Sequence, residues 1–142
     1  MSGLYDERLC DRLLLGHEGA WRYVRRRWPG LKKMRIQGYH GVVCSLPRHR
    51  VIKFTNNVEE IDNAVRVKKE KPTGVVPVLS FGAWHYIMPE LVEGTPGAEP
   101  VTDDVIHMDI SPNSPLDKGR NIMFDPKSGE HVFIDLDGLF WT

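Results

Sequence analysis

The sequence predicts an α+β domain built on antiparallel strands, and three observations predict it. Short apolar runs rich in Val and Ile recur between clusters of Gly, Pro, Asn and Asp, the pattern of strands joined by turns. One helical segment, starting at Asn56 or Asn57 and running to about Lys71, stands among them with Glu59 and Glu60 in its first turn. Near the end, Ile122-Met123-Phe124 and Val132-Phe133-Ile134 flank Asp125-Pro126-Lys127-Ser128-Gly129, a hairpin signature with turn residues at its centre.

The 142 residues suffice for one domain with one good core. Lys+Arg and Asp+Glu both number 19, so net charge does not point to nucleic acid. Hydrophobic content of 41% with 27% charged residues reads as globular and soluble. No apolar run approaches the ~18 residues of a membrane span. Met1 to Arg8 lacks the basic-then-apolar layout of a signal peptide. Cys10 and Cys44 form no disulfide framework and no zinc quartet. A reducing cytoplasm is the simplest compartment. The six histidines include no pair at metal-ligand spacing, and no internal repeat is present.

In chain order, residues 4–15 predict a short helix with Leu4, Leu9, Leu13 and Leu14 on one face, broken by Gly16. A second helix over 18–28 sets Trp21, Val24 and Trp28 in one stripe and stops at Pro29-Gly30. This pair forms an N-terminal helical extension, residues 1–33, packed on the remainder. Arg25-Arg26-Arg27 with Lys32, Lys33 and Arg35 is the densest positive cluster. It reads as a solvated helix face, with a patch for an acidic partner or phosphates as the alternative.

Strands follow at 34–37, 42–46 and 50–54, with turns at Gly38-Tyr39-His40-Gly41 and Pro47-Arg48-His49. Lys53, between Ile52 and Phe54, points to the face opposite those neighbours, toward a cleft; an edge-strand lysine that deters aggregation is the alternative. After the helix, Pro72-Thr73-Gly74 breaks the chain, and residues 75–81 and 84–88 predict two more strands. In the C-terminal hairpin, Asn121 enters the first strand and Asp135 leaves the second, so the two side chains come close. Their converging oxygens suit Mg²⁺, a hard cation that prefers oxygen ligands.

Taken in order, these stretches resemble the protein kinase-like superfamily over roughly residues 34–138. His107-Met108-Asp109 resembles the catalytic loop, Asn121-Ile122-Met123-Phe124-Asp125 the segment after it, and Ile134-Asp135-Leu136-Asp137 the Asp-Phe-Gly metal loop. The Asp-Leu-Asp form is closer to atypical and small-molecule kinases. Gly38-x-x-Gly41-x-Val43 resembles the second half of a glycine-rich loop, with Ile36 where the first glycine would stand. Val51-Ile52-Lys53 resembles the strand that carries the phosphate-binding lysine, and 89–94 the hinge between lobes.

The resemblance implies a minimal kinase-like fold over 34–142: an antiparallel-sheet N-lobe at 34–89, a hinge at 90–94 and a strongly reduced helical C-lobe at 95–142. It implies ATP and Mg²⁺ as cofactors. Asp109 and Lys53 become the catalytic residues. Gly38, Gly41, Val43, Lys53, Glu60, Met88, Glu90 and Leu91 become nucleotide contacts, and Asn121 and Asp135 the metal ligands. Glu60 pairs with Lys53, with Glu59 and Asp62 as alternatives. His107 buttresses the loop, and Asp125 and Asp137 belong to turns or support the ligands.

Three departures from the family pattern shape the expectation. Asn121 lies twelve residues after Asp109 instead of the usual five; the extra Asn113 to Gly119 stretch, rich in Pro, Asn, Ser and Gly, reads as a surface loop. Assigning Asn113 to the metal is the alternative, although no apolar strand follows it. Twelve residues separate Gly94 from His107, and seven follow Asp135, too few for the helices that hold a peptide substrate.

The implied activity is that of a phosphotransferase, foremost a minimal atypical protein kinase acting on a protein hydroxyl. Its small size is similar to bacterial effector kinases, which implies a protein substrate or host partner and, besides the cytoplasm, delivery to a host cell. Ser111 stands where many Ser/Thr kinases have Lys, which leaves the substrate open. The alternatives are a pseudokinase-like nucleotide- or partner-binding module and a small-molecule phosphotransferase.

Overall fold

The computed structural model describes residues 22, 25–26, 29–30, 32–37, 41–55, 57–95, 97–107 and 122–142. Strands β1 (Lys32–Gln37), β2 (Gly41–Leu46) and β3 (Arg50–Thr55) pair antiparallel in sequence order. The β2–β3 hairpin closes through Pro47-Arg48-His49, where Arg48 and His49 take left-handed backbone angles (φ 65° and 54°). Helix α1 (Val58–Glu70) follows. Two further strands, β4 (Ser80–Phe81) and β5 (His85–Pro89), complete a five-stranded antiparallel sheet in the order β1-β2-β3-β5-β4.

Helix α1 begins where the residue types require. The Asn57 side chain caps it by accepting from the Glu59 N–H at 3.0 Å. Glu59 and Glu60 occupy the first turn and Lys68 and Lys69 the last, each complementing the helix dipole. Lys71 ends it in a left-handed conformation (φ 49°), its N–H returning to the Val67 carbonyl. Ile61, Ala64 and Val67 form the buried face, which packs with Val51 and Tyr86 in one core.

Two smaller sheets lie beyond. Strand β6 (Val92–Glu93) pairs with β8 (Ile122–Asp125), which pairs with β9 (Glu130–Phe133). Strand β7 (Val105–His107) pairs with β10 (Leu139–Trp141). The hairpin expected over 122–134 is therefore present, with residues 126–129 as its turn. Val132, Ile134, Leu136 and Leu139 join the same core as α1 and the large sheet. Among the described residues this is an α+β domain of three antiparallel sheets with α1 against the core, and no helix there is long and apolar enough to cross a membrane.

Several expected boundaries shift. Residues 75–81 form a strand only at Ser80–Phe81. Pro77 has no N–H for a ladder, and the neighbouring donors go elsewhere: Val76 N–H to the Phe133 carbonyl and Leu79 N–H to the Ile87 carbonyl, both at 2.8 Å. The expected hinge contains strand β6. Arg22, Arg25 and Arg26 are helical and exposed; the rest of the expected helices at 4–15 and 18–28 lies outside the described residues.

Gly74 joins α1 to the C-terminal hairpin. Its carbonyl accepts from Phe133 N–H at 2.8 Å, its φ is +82°, and a Cβ there would meet the Val101 carbonyl oxygen at 2.4 Å. Gly129 has a similar φ of +74° but open space around it. Gly74→Ala should therefore cost more than the ~1–2 kcal/mol of left-handed strain expected for Gly129→Ala. Urea unfolding of the two variants checks the order.

Candidate functional site

Strand periodicity places the central side chains. Val43 pairs with Lys53 and Lys53 with Tyr86 across β2, β3 and β5, so the three share one face of the sheet. Val51 and Met88, paired with each other two positions along, share that face as well. Helix α1 brings Glu60 against it. The Lys53 ammonium lies 2.5 Å from Glu60 Oε2 and 3.5 Å from Asp135 Oδ1. Glu60 Oε2 also accepts from the Tyr86 hydroxyl at 2.6 Å, and Oε1 from the Thr55 hydroxyl at 3.0 Å. Lys53 is 2% exposed, and Glu60, Tyr86 and Thr55 are fully buried.

The electrostatics follow from that burial. Desolvation disfavours the Lys53 charge, but the Glu60 and Asp135 carboxylates outweigh it and hold its pKa above the usual 10.5. Burial, reinforced by the adjacent Glu60 carboxylate, pushes the Tyr86 hydroxyl well above its usual 10.0. Glu59 and Asp62, the alternatives for the lysine's partner, are both exposed on α1.

Asp135 sits in a loop that α1 holds. Its Oδ1 accepts from the Asp137 N–H at 3.0 Å. Asp137 Oδ1 accepts from Asn57 Nδ2 at 2.9 Å. Asn63 Nδ2 donates to the carbonyls of Leu136 and Leu139 at 2.8 and 3.2 Å, and its Oδ1 accepts from Trp141 Nε1 at 3.1 Å. The Arg66 guanidinium lies 4.1 Å from the centroid of the Trp141 ring, a cation–π contact. Sequence reading did not single out Asn63, Arg66 or Trp141. Their signal was the three-residue spacing of Asn57, Glu60, Asn63 and Arg66, which makes successive members neighbours along a helix.

The structure brings Lys53, Glu60 and Asp135 together. Val43 and Met88 lie buried on the Lys53 face. Gly41 stands at the start of β2, opposite Thr55. At the expected hinge Leu91 is buried, while Glu90 is exposed and donates its N–H to the His49 carbonyl at 2.8 Å. Gly38, Asp109, Asn113 and Asn121 lie outside the described residues. His107 ends β7, its backbone paired with Leu139. Asp125 is turned into its own hairpin, accepting from the Lys127 N–H at 2.9 Å.

Two carboxylates lie against one ammonium here, and Asp135 is the more exposed of the two. Among the described residues no group of three or more His, Cys, Asp or Glu side chains could hold a metal. Mg²⁺ does not need one, since it binds through one or two carboxylates with waters and phosphate oxygens completing its shell. A cavity of ≈ 550 Å³ opens elsewhere, between Val67 and Lys68 of α1, Pro77 and Leu79, and Asp125 and Val132 of the hairpin. Its lining includes none of the ion-pair residues; the site is placed where perturbed ionisable groups converge. Compared with protein-family models, curated proteins and solved structures, the chain matches none.

Glu60→Gln would leave a buried ammonium without its nearest counter-charge, and should lower the unfolding free energy by about 3–5 kcal/mol. Urea unfolding at neutral pH measures it. Both raised pKa values act in one direction. The folded state retains protons that the unfolded chain loses above about pH 10, so this stability is complete below that pH and is lost as pH rises through the folded values. Tyr86→Phe should make the alkaline fall in stability shallower; equal slopes in the two proteins would remove Tyr86 from the coupling.

Proposed function

We propose that the chain is an ATP- and Mg²⁺-dependent phosphotransferase, foremost a minimal atypical protein kinase acting on a protein hydroxyl. The carrying observation is the buried Lys53–Glu60 ion pair with Asp135 on the other side of the same ammonium. In this reading the five-stranded sheet and α1 form the N-lobe, residues 90–94 the hinge, and the smaller sheets a reduced C-lobe. The setting in this reading is the cytoplasm or a host cell.

The roles follow from the chemistry. Lys53 contacts the phosphates, and Glu60 aims its ammonium. Backbone groups at Gly38 and Gly41 approach the phosphate oxygens. Val43 and Met88 line the adenine side, and the backbone of Glu90 and Leu91 reads the base edge. Asp135 and Asn121 would hold Mg²⁺, which supplies charge neutralisation on the β- and γ-phosphate oxygens. Asp109 accepts the proton of the attacking hydroxyl as its oxygen bonds to the γ-phosphorus and the bridging P–O bond breaks, releasing ADP.

A second reading, a module that binds nucleotide or a partner without transfer, is favoured by one observation. Lys53 is 2% exposed and already occupied by carboxylates, so a phosphate must displace part of that network to reach it.

Incubation with Mg²⁺ and γ-labelled ATP, alone and with cell lysate, separates the readings. The expected result is label on a protein band that Asp135→Asn abolishes and Asp109→Asn reduces by about 10²–10⁴ in rate. Labelling intact in Asp109→Asn removes Asp109 from its role. A rise in thermal stability with Mg²⁺ and ATP but no labelling supports the binding module. Neither response overturns both.

A further inference from the structure

The loop carrying Asp135 has no sheet to hold it. Residues 134–138 belong to no strand, and Gly138 is left-handed (φ 92°). Its buried backbone groups need other partners. Asn63 supplies them. Its amide donates to the carbonyls of Leu136 and Leu139, which bracket the Asp137-Gly138 turn, while its oxygen accepts from Trp141. Three of the four hydrogen bonds an Asn side chain can make therefore go to this one segment. One helical turn earlier, Glu60 reaches Asp135 through Lys53; a turn before that, Asn57 donates to Asp137.

The side-chain chemistry is selective. Asp at position 63 would keep the size and the acceptor for Trp141 but turn a second oxygen toward two carbonyl oxygens. Leu would offer nothing to either. Only a planar amide presents two donors and an acceptor in this arrangement.

We propose that Asn63 is a positioning residue: by holding the carbonyls of Leu136 and Leu139 it sets the distance of Asp135 from Lys53 and makes α1 and the Asp135 loop one rigid unit. Asn63 acts through the loop and touches no substrate. The geometric role stands independently of the phosphotransferase reading; its consequence for nucleotide binding rests on that reading.

The test uses the full chain with Asn63→Asp, Asn63→Leu and Trp141→Phe. Hydrogen exchange at the Asp137 amide reports loop opening, since that N–H donates to Asp135 Oδ1. Both Asn63 variants should speed Asp137 exchange about thirtyfold, the loss of at least two hydrogen bonds worth about 1 kcal/mol each. Trp141→Phe should leave it within about twofold, because it spares the carbonyl contacts. Should Asn63→Leu not fold, the near-isosteric Asn63→Asp carries the test. Unchanged exchange in Asn63→Asp, or an equal effect in Trp141→Phe, overturns the proposal. Isothermal titration with ATP and Mg²⁺ adds the functional arm, where Asn63→Asp should weaken binding about tenfold. If the unaltered chain binds no ATP, the phosphotransferase reading falls while Asp137 exchange still decides the role of Asn63.

Discussion

The buried contact between Lys53 and Glu60 is the constraint on which the rest of the structure depends. A buried ion pair alone adds little stability, because desolving both charges costs as much as their attraction returns. Here the pair is embedded. Glu60 has three partners on β3 and β5, and two of them, Tyr86 and Thr55, are themselves fully buried. Thr55 also accepts the Asn57 N–H at 3.1 Å, so the network reaches the cap of α1. Each buried polar group satisfies another, the condition under which such networks specify one arrangement. The register of α1 on the sheet follows from it, since a helix rotated by one residue would carry Glu60 away from Lys53, Thr55 and Tyr86 together.

A second carboxylate, Asp135, lies 3.5 Å from the same ammonium at the more open end of the cluster, although Glu60 already neutralises that ammonium. Asp135 Oδ1 also accepts from the Asp137 N–H, and Asn63 holds the carbonyl of the next residue, Leu136. Departures from local economy of this kind concentrate at functional sites. Lys53, Glu60 and Asp135 were read from the sequence, whereas the hydrogen bonds that fix the loop around Asp135 come in part from Asn63, which no pattern contained.

What was legible in the sequence divides along physical lines. Turn chemistry and caps are local, so the hairpin around Pro126 to Gly129 and the start of α1 at Asn57 could be read directly. So could the inward direction of Lys53, which follows from strand alternation. The choice of Glu60 over Glu59 and Asp62 was not fixed by spacing, because the three are separated only by their angle around the helix, and that angle is set by packing. Residues 75–81 misled because their Val and Leu content is strand-like while Pro77 breaks the ladder. Asn63 was illegible for a plainer reason. A lone Asn inside a helix reads as a weak helix former, and its partners lie 73 to 78 residues away. Strand β10 was missed although Leu139-Phe140-Trp141 is rich in strand-favouring aromatic residues, because so short a run carries little periodicity.

The pairing of the smaller sheets frames the Asp135 loop on both sides. Strand β7 ends at His107, which is paired with Leu139. Strand β8 begins at Ile122, which is paired with Phe133. Phe133 and Leu139 stand on either side of Asp135 in the sequence. The end of β7 is thus paired with a residue after the Asp135 loop and the start of β8 with one before it. Both strand ends are therefore tied to the segment that Asn63 and Lys53 grip from the other side.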